Sequence, residues 1–384
     1  MTDSIYNIPN FTTTYFIVDE ALLTRNLEVL ADVKVRSGCK ILLAQKAFSM
    51  YAMYPLVSRY LDGTCASGLH EALLSQQYFD GENHVYSPAY SDSEFQRLNE
   101  ICDVMVFNSA AQWQKFKPMR DHSKRYGIRI NPELSTQQHE KPIYDPCAPN
   151  SRLGMTLTNF LAAFSIDADF DGISGLHFHT LCQQNSDALE ATFAAVEAKF
   201  AQYLHKMDWL NFGGGHHITR ADYDTERLVR LISRVQNTYN VQVYLEPGEA
   251  IALNTGFLVA SVLDIVDNGM KIAILDTSAA CHMPDVLEMP YRPHIIGSGL
   301  PNEKTHLYRL GGVSCLAGDI IGDYSFDAPL TIGDRLIFTD MAIYSMVKTT
   351  TFNGVPLPSI AVLRDDGNAE LLKSFGYEDF AARI

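Results

Sequence analysis

The sequence holds no CxxC pair, no run of 18 apolar residues and no apolar core in its opening MTDSIYNIPN. Its seven cysteines (Cys39, Cys65, Cys102, Cys147, Cys182, Cys281 and Cys315) are odd in number and scattered. That argues against a disulfide framework or a structural zinc site and suits a reducing compartment. Without a signal core or a membrane-length segment, a soluble cytoplasmic protein is expected. Positive charge is scarce: 30 Lys and Arg stand against 45 Asp and Glu, a formal net charge of −15. This balance disfavours nucleic acid and anionic membranes as partners and tolerates a cationic small molecule. Walker A and GxGxxG loops, internal repeats and low-complexity tracts are also missing, so no nucleotide-binding fingerprint or solenoid is indicated.

What is present is an ordinary globular chain of 384 residues, 47% hydrophobic and 20% charged. At about 150 residues per domain it makes two or three domains. The first two thirds alternate short apolar runs with helical patterns. Candidate strands are Thr14–Val18, Lys40–Ala44, His84–Tyr86, Asp103–Phe107, Gly127–Ile130, Gly172–Phe178, Trp209–Phe212 and Val241–Leu245. Leu189, Phe193, Val196, Phe200 and Leu204 make one helical stripe, and Leu228, Leu231, Ile232 and Val235 another, both read as core. Roughly eight such units suggest a (β/α)8 TIM-like barrel, with a doubly wound open sheet as the alternative. Near residue 255 the character changes. Phe257–Val266 and Met270–Leu275 flank Asp267-Asn268-Gly269, a hairpin signal. Asp334–Phe338, Ala342–Val347 and Ser359–Arg364 are short and turn-bounded, so the last third reads as mainly β. The expected organisation is a barrel over residues 13–252 and a β domain over 253–384, joined by residues 1–12. The polar 137–150 stretch, with three prolines, reads as a surface loop.

Several segments can carry chemistry. Lys46 follows an apolar strand, at the end of a barrel strand where active sites collect; burial there would favour its neutral, nucleophilic amine. His177 and His179 share one face of a strand, fit for a metal or for lying on an aromatic cofactor. Gly213, Gly214 and Gly215 follow another strand and free the backbone to turn sharply and aim N–H groups at an anion. Glu246 and Glu249 flank Pro247-Gly248 after the last barrel strand, and Cys315 sits among small residues in the β domain.

The order of these pieces is more informative than any one of them. Lys46, Cys65-Ala66-Ser67, Arg152, His179, Gly213–Gly215, Glu246-Pro247-Gly248, Cys315 and Tyr344 with Thr351-Phe352-Asn353-Gly354 resemble the alanine-racemase-like pyridoxal 5'-phosphate decarboxylases over nearly the whole chain. That family includes ornithine, diaminopimelate and arginine decarboxylases. The resemblance implies a fold type III enzyme, a barrel with a C-terminal mainly β domain, working as a homodimer with shared active sites. It implies Lys46 as the Schiff-base lysine, His179 stacked on the pyridine ring, and Gly213, Gly214 and Gly215 on the phosphate with Cys182 nearby. Glu246 would pair with the ring nitrogen, and Arg152 would hold Glu71 or another acid near Lys46. Cys315 and Tyr344 would come from the partner subunit, Cys315 as proton donor.

Three departures from the family pattern matter; the first two steer the substrate and the third bears on the role of Glu71. Glu249 stands where ornithine and diaminopimelate decarboxylases have arginine, Leu316 where they have an acid, and Ser67 and Glu71 are four apart where three is usual. With Ala44-Gln45-Lys46-Ala47-Phe48, His177-Phe178-His179, Phe212-Gly213-Gly214-Gly215-His216-His217, Glu246-Pro247-Gly248-Glu249-Ala250, Cys281-His282-Met283-Pro284-Asp285 and Cys315-Leu316-Ala317-Gly318-Asp319, the resemblance implies a polyamine precursor, carboxynorspermidine and carboxyspermidine in particular, with Glu249, Asp276, Asp319 and Cys315 as substrate-binding residues and no metal. Three rivals remain: another amino-acid decarboxylase such as one for diaminopimelate, a metal-dependent barrel hydrolase using His177, His179, His216 or His217 with Asp276, and a non-catalytic relative that has lost its cofactor.

Overall fold

The computed structural model describes residues 8–137, 145–164, 170 and 172–384. In chain order its strands are β1 (Tyr15–Asp19), β2 (Lys40–Ala44), β3 (Gly63–Ala66), β4 (Glu82–Tyr86), β5 (Val104–Phe107), β6 (Arg125–Arg129), β7 (Ile173–His177), β8 (Trp209–Asn211) and β9 (Gln242–Leu245). Then follow β10 (Gly256–Asp267), β11 (Lys271–Leu275), β12 (His306–Gly311), β13 (Ile320–Phe326), β14 (Arg335–Thr339), β15 (Ser359–Leu363) and β16 (Ala369–Lys373). Two compact units form: Asn26–Ile251, and Ala252–Ile384 together with the described part of the chain up to Arg25.

The first unit is a closed parallel barrel, β2 to β9 in sequence order, with β9 returning to β2 through Lys40↔Tyr244 and Ile41↔Leu245. Leu42, Cys65, Val104, Val106, Trp209 and Tyr244 cluster as a buried core. Trp209 explains two glycines. A Cβ at Gly127 would sit 2.3 Å, and one at Gly175 2.0 Å, from its indole, so β6 and β7 carry glycine where the ring passes. At the N-terminal end, Glu82 accepts from Lys40, from Arg125 at 2.6 Å and from the Tyr244 hydroxyl at 3.2 Å, and meets His84 at 2.8 Å. Burial pushes this carboxyl up, but His84, Lys40 and Arg125 outweigh it and hold it well below the usual carboxylate range. A polar knot at this end of a barrel reads as stability.

Both predicted stripes lie on barrel helices, Ser186–Leu204 and Thr225–Tyr239, with every stripe residue buried. The second helix starts where the Asp224 carboxylate accepts the Arg227 N–H at 2.9 Å and stops at Asn240, whose left-handed φ of 55° ends the winding.

The second unit is a mixed sheet in the order β13-β12-β11-β10-β1-β15-β16, with β14 on β10. The Asn268-Gly269 hairpin joins β10 to antiparallel β11, with Asp267 opposite Lys271. Phe16, Leu258, Ala260, Leu310, Ile321 and Phe338 belong to its core.

Three expectations are corrected. Thr14–Val18 is not a barrel strand: β1 pairs antiparallel with β10 and parallel with β15, so the barrel unit begins at residue 26 rather than 13. The missing barrel strand is β3, Gly-Thr-Cys-Ala, too short and too small to register as an apolar run. Ala342–Val347 is no strand; it leads into the short 3-10 turn Met346–Lys348. Much of the 137–150 loop lies outside the described residues. Among the described residues, no helix is long and apolar enough to cross a membrane.

Candidate active site

The C-terminal ends of the barrel strands converge on a cavity of about 300 Å³. Lys46 reaches it from just beyond β2, Cys65 from β3, Tyr86 from β4, Arg129 from β6, His177 and His179 from the end of β7, and Glu246 from just after β9. Lys46 is exposed, because the chain turns outward at Gln45–Ala47 while the neighbouring Gln45 and Ala47 are buried.

Glu246 is the buried carboxylate of the site. Its Oε1 accepts from Asn211 Nδ2 at 2.6 Å, and its Oε2 lies 3.2 Å from His177 Nε2. Burial pushes the carboxyl up, but the contacts with His177 and the Cys65 thiol bring it down to about 2. It is therefore an anion at neutral pH. Burial also keeps His177 neutral, with its pKa below the ordinary value, so it serves Glu246 as an N–H donor. The His177 ring stacks on Tyr86, centroids 5.4 Å apart, and the Arg129 guanidinium lies 4.6 Å from the centre of the Tyr86 ring. Arg129 also donates to the His179 carbonyl at 3.1 Å.

The glycine turn follows β8. Gly213 and Gly215 have φ of +67° and +82°. A Cβ would lie 2.5 Å from the Phe178 carbonyl at Gly213, 2.5 Å from the Glu246 carbonyl at Gly214 and 2.1 Å from the Leu181 carbonyl at Gly215, so no larger residue fits. The Gly213 N–H is already given to Asn211 Oδ1 at 2.8 Å and the Gly214 N–H to His179 Nδ1 at 3.0 Å. Of the three expected phosphate donors, these two are engaged within the protein. Among the described residues, only Gly215 of the three keeps an N–H without a partner. Beside it Cys182 is a neutral thiol, pushed up to about 11 by burial and by Glu249.

The other expected residues fall into two groups. Arg152 lines the cavity but makes no ion pair with Glu71, whose carboxylate accepts the Ser67 N–H at 2.6 Å. Glu249 accepts from Gln183 at 2.8 Å and faces His217 at 3.5 Å. In the sheet unit, Cys315 is exposed on a loop where its N–H donates to Asn353 Oδ1 at 2.9 Å, and Tyr344 takes a left-handed φ of 50°.

Asp276 and Asp319, expected at the substrate, are each engaged by donors of the sheet unit. Asp276 accepts from Thr13 at 2.5 Å, Thr14 at 3.0 Å and the Ser261 N–H at 2.8 Å. Buried Asp319 accepts the Ala279 N–H at 2.7 Å and the Ser278 and Ser314 hydroxyls at 2.8 and 2.6 Å. Asp319 has both oxygens filled by these donors, while Asp276 accepts three hydrogen bonds of the about four a carboxylate can take. The histidines do not gather with Asp276: among the described residues no group of three or more His, Cys, Asp or Glu is placed to hold a metal.

Sequence reasoning missed Asn211, Tyr86 and Arg129. The available signal was position alone, since each ends a barrel strand on the face where barrels keep their sites.

A barrel with an exposed lysine, a buried carboxylate anion, a neutral imidazole and a glycine turn at its mouth, in a chain that also builds a separate mixed sheet, is the make-up of a fold type III pyridoxal phosphate enzyme. The donor set suits that group: an amine for the aldehyde, a carboxylate for the ring nitrogen and a free backbone N–H for the phosphate. The description "Pyridoxal-dependent decarboxylase, C-terminal sheet domain" matches residues 15–342. The chain belongs to the pyridoxal-dependent decarboxylase family, with pyridoxal 5'-phosphate as cofactor. It is 42% identical to the carboxynorspermidine/carboxyspermidine decarboxylase of Campylobacter jejuni, over 97% of this chain and 98% of that one. It is 41% identical to the carboxyaminopropylagmatine decarboxylase of Synechocystis, over 96% and 94%. The crystal structure of carboxynorspermidine decarboxylase from Campylobacter jejuni, complexed with norspermidine, superposes with a TM-score of 0.90 at 40% identity, covering 97% of this chain and 100% of that one.

Proposed function

We propose that this protein decarboxylates carboxynorspermidine to norspermidine and carboxyspermidine to spermidine in polyamine biosynthesis. The observation that carries the substrate class is the 42% identity, from end to end, with an enzyme of that name. A second reading is favoured by the 41% identity to a carboxyaminopropylagmatine decarboxylase. All three substrates share an amino-acid head and a cationic tail; the two carboxylated triamines end in an ammonium and differ by one methylene, and the third ends in a guanidinium.

When bound, pyridoxal phosphate supplies the electron sink that lets the bond to the departing CO2 break. Lys46 provides the amine for covalent attachment. Glu246, kept anionic by its buried donors, would favour a proton on the ring nitrogen and so deepen the sink. His179, neutral, would offer its ring to the cofactor's pyridine, and the Gly215 N–H with the Cys182 thiol would receive the phosphate. Arg152 adds positive charge to the wall of the cavity. Glu249 adds negative charge for the tail, where an arginine would repel it. We further infer a homodimer in which the partner subunit's Cys315 protonates the α-carbon and the partner subunit's Tyr344 completes the pocket. Seven free cysteines suit a reducing, cytoplasmic setting.

Purified enzyme offered carboxynorspermidine, carboxyspermidine, carboxyaminopropylagmatine and diaminopimelate, with CO2 release followed for each, tests the reading. Highest kcat/KM on either carboxylated triamine supports it. Preference for carboxyaminopropylagmatine selects the second reading, and preference for diaminopimelate overturns both.

A further inference from the structure

We propose that Asn211 is a positioning residue that ties the carboxylate for the ring nitrogen to the turn for the phosphate, making the two ends of the cofactor site one rigid unit. This deepens the pyridoxal phosphate reading and rests on it. Asn211 is the last residue of β8 and is 1% exposed. Its amide is used at both ends: Nδ2 donates to Glu246 Oε1 at 2.6 Å, and Oδ1 accepts the Gly213 N–H at 2.8 Å. The ring is closed by the backbone, where the Glu246 N–H donates to the Gly213 carbonyl at 2.8 Å. One side chain therefore selects the orientation of the carboxylate and holds the left-handed φ of +67° at Gly213 that starts the turn. An amide does both at any pH, since the job needs a donor and an acceptor about one carboxamide apart and a carboxyl group supplies the donor only while protonated. Leucine or threonine would leave a buried carboxylate or a buried N–H unserved, and buried polar groups without partners are costly.

Two variants separate the halves of this role. Asn211→Ala removes both contacts. Asn211→Asp keeps the shape and the acceptor for Gly213, but it can donate to Glu246 only while it carries a proton. Glu246 also meets His177 from β7, the Cys65 thiol from β3 and the charge of His84 from β4, and none of these is altered. A second carboxylate beside Glu246 cannot ionise at the same cost as a lone one, so the pair shares a proton that is lost as pH rises.

The measurement is the dissociation constant of pyridoxal phosphate from reconstitution of cofactor-stripped full-length protein, followed by absorbance and intrinsic fluorescence at about pH 6 and about pH 9. Asn211→Ala should bind about tenfold or more weakly at both, the worth of a hydrogen bond to a charged group. Asn211→Asp should bind within about threefold of wild type at the lower pH and about tenfold or more weakly at the higher. That pH-dependent loss is a signature that a merely structural asparagine would not give. If Asn211→Ala does not fold, the Asn211→Asp comparison decides alone. An Asn211→Asp affinity that tracks wild type at both pH values, or a loss that ignores pH, overturns the proposal. A wild-type protein that takes up no pyridoxal phosphate would instead sink the underlying reading, so the two failures are distinct.

Discussion

His179 Nδ1 accepts the Gly214 N–H at 3.0 Å, so the imidazole and the glycine turn hold one another in place. The bond leaves the proton of the neutral ring on Nε2. Burial, helped by the charges of Lys46 and Arg129, holds His179 well below the usual histidine range, so it stays neutral through physiological pH. His179→Ala should weaken pyridoxal phosphate binding by about tenfold, the value of the lost ring face and the lost acceptor together. Reconstitution titrations read this directly, and an unchanged affinity would remove His179 from the cofactor site.

Lys46→Ala separates chemistry from folding. The side chain is exposed to the cavity, so its truncation should move stability by no more than about 0.5 kcal/mol. CO2 release should fall on the order of 10²–10⁴-fold, and borohydride should no longer trap the cofactor on the protein. Full turnover in this variant would refute the assignment of the attachment site.

Gly215→Ala places a methyl group 2.1 Å from the Leu181 carbonyl on a residue with φ of +82°. Both the clash and the backbone strain push the turn outward, at a cost of about 1–3 kcal/mol. Thermal unfolding should show the loss, and cofactor affinity should fall with it because the one unengaged N–H of the turn is displaced.

Acid should destabilise each unit from a higher pH than carboxylates alone would predict. Burial pushes His216 in the barrel and His282 in the sheet unit down to about 4, against an ordinary 6.5. Above pH 6.5 neither the folded nor the unfolded form is protonated there. As pH falls from 6.5 toward 4 the unfolded chain takes up protons that the folded chain refuses, and stability drops by up to about 3 kcal/mol for each, at 1.36 kcal/mol per unit. Urea unfolding at a series of pH values should show this slope, and His216→Asn should flatten its part. A stability profile level down to pH 4.5 would contradict the buried neutral state.

Glu249→Gln keeps a partner for Gln183 while removing the charge. On the proposed substrates KM should rise about three- to tenfold with kcat little changed, the pattern of lost ground-state attraction. A fall in kcat alone would place Glu249 in the chemistry rather than in tail recognition.

The residues that end barrel strands and the glycines that turn afterwards were readable along the chain, because a strand's period and a glycine's backbone freedom are local properties. Lys46, His177, His179, the glycine run and Glu246 were all picked out this way, and the structure brings all of them together. Local pattern also set the hairpin at Asn268-Gly269 and the two helical stripes. It could not say which sheet an apolar run joins. Tyr15–Asp19 reads as well for a barrel strand as for its true place between β10 and β15, because burial on both faces leaves the same apolar run in either setting. Four small residues were enough to make β3, because register with β2 and β4 supplies the pairing that their side chains do not announce. Only the tertiary structure decided what surrounds each carboxylate. Asp276 and Asp319 accept from hydroxyl and backbone donors of their own sheet unit, while Glu246, held by Asn211 and His177, also lines the cavity. The difference lies in which donors the folded chain brings within reach, and those come from residues far away in sequence.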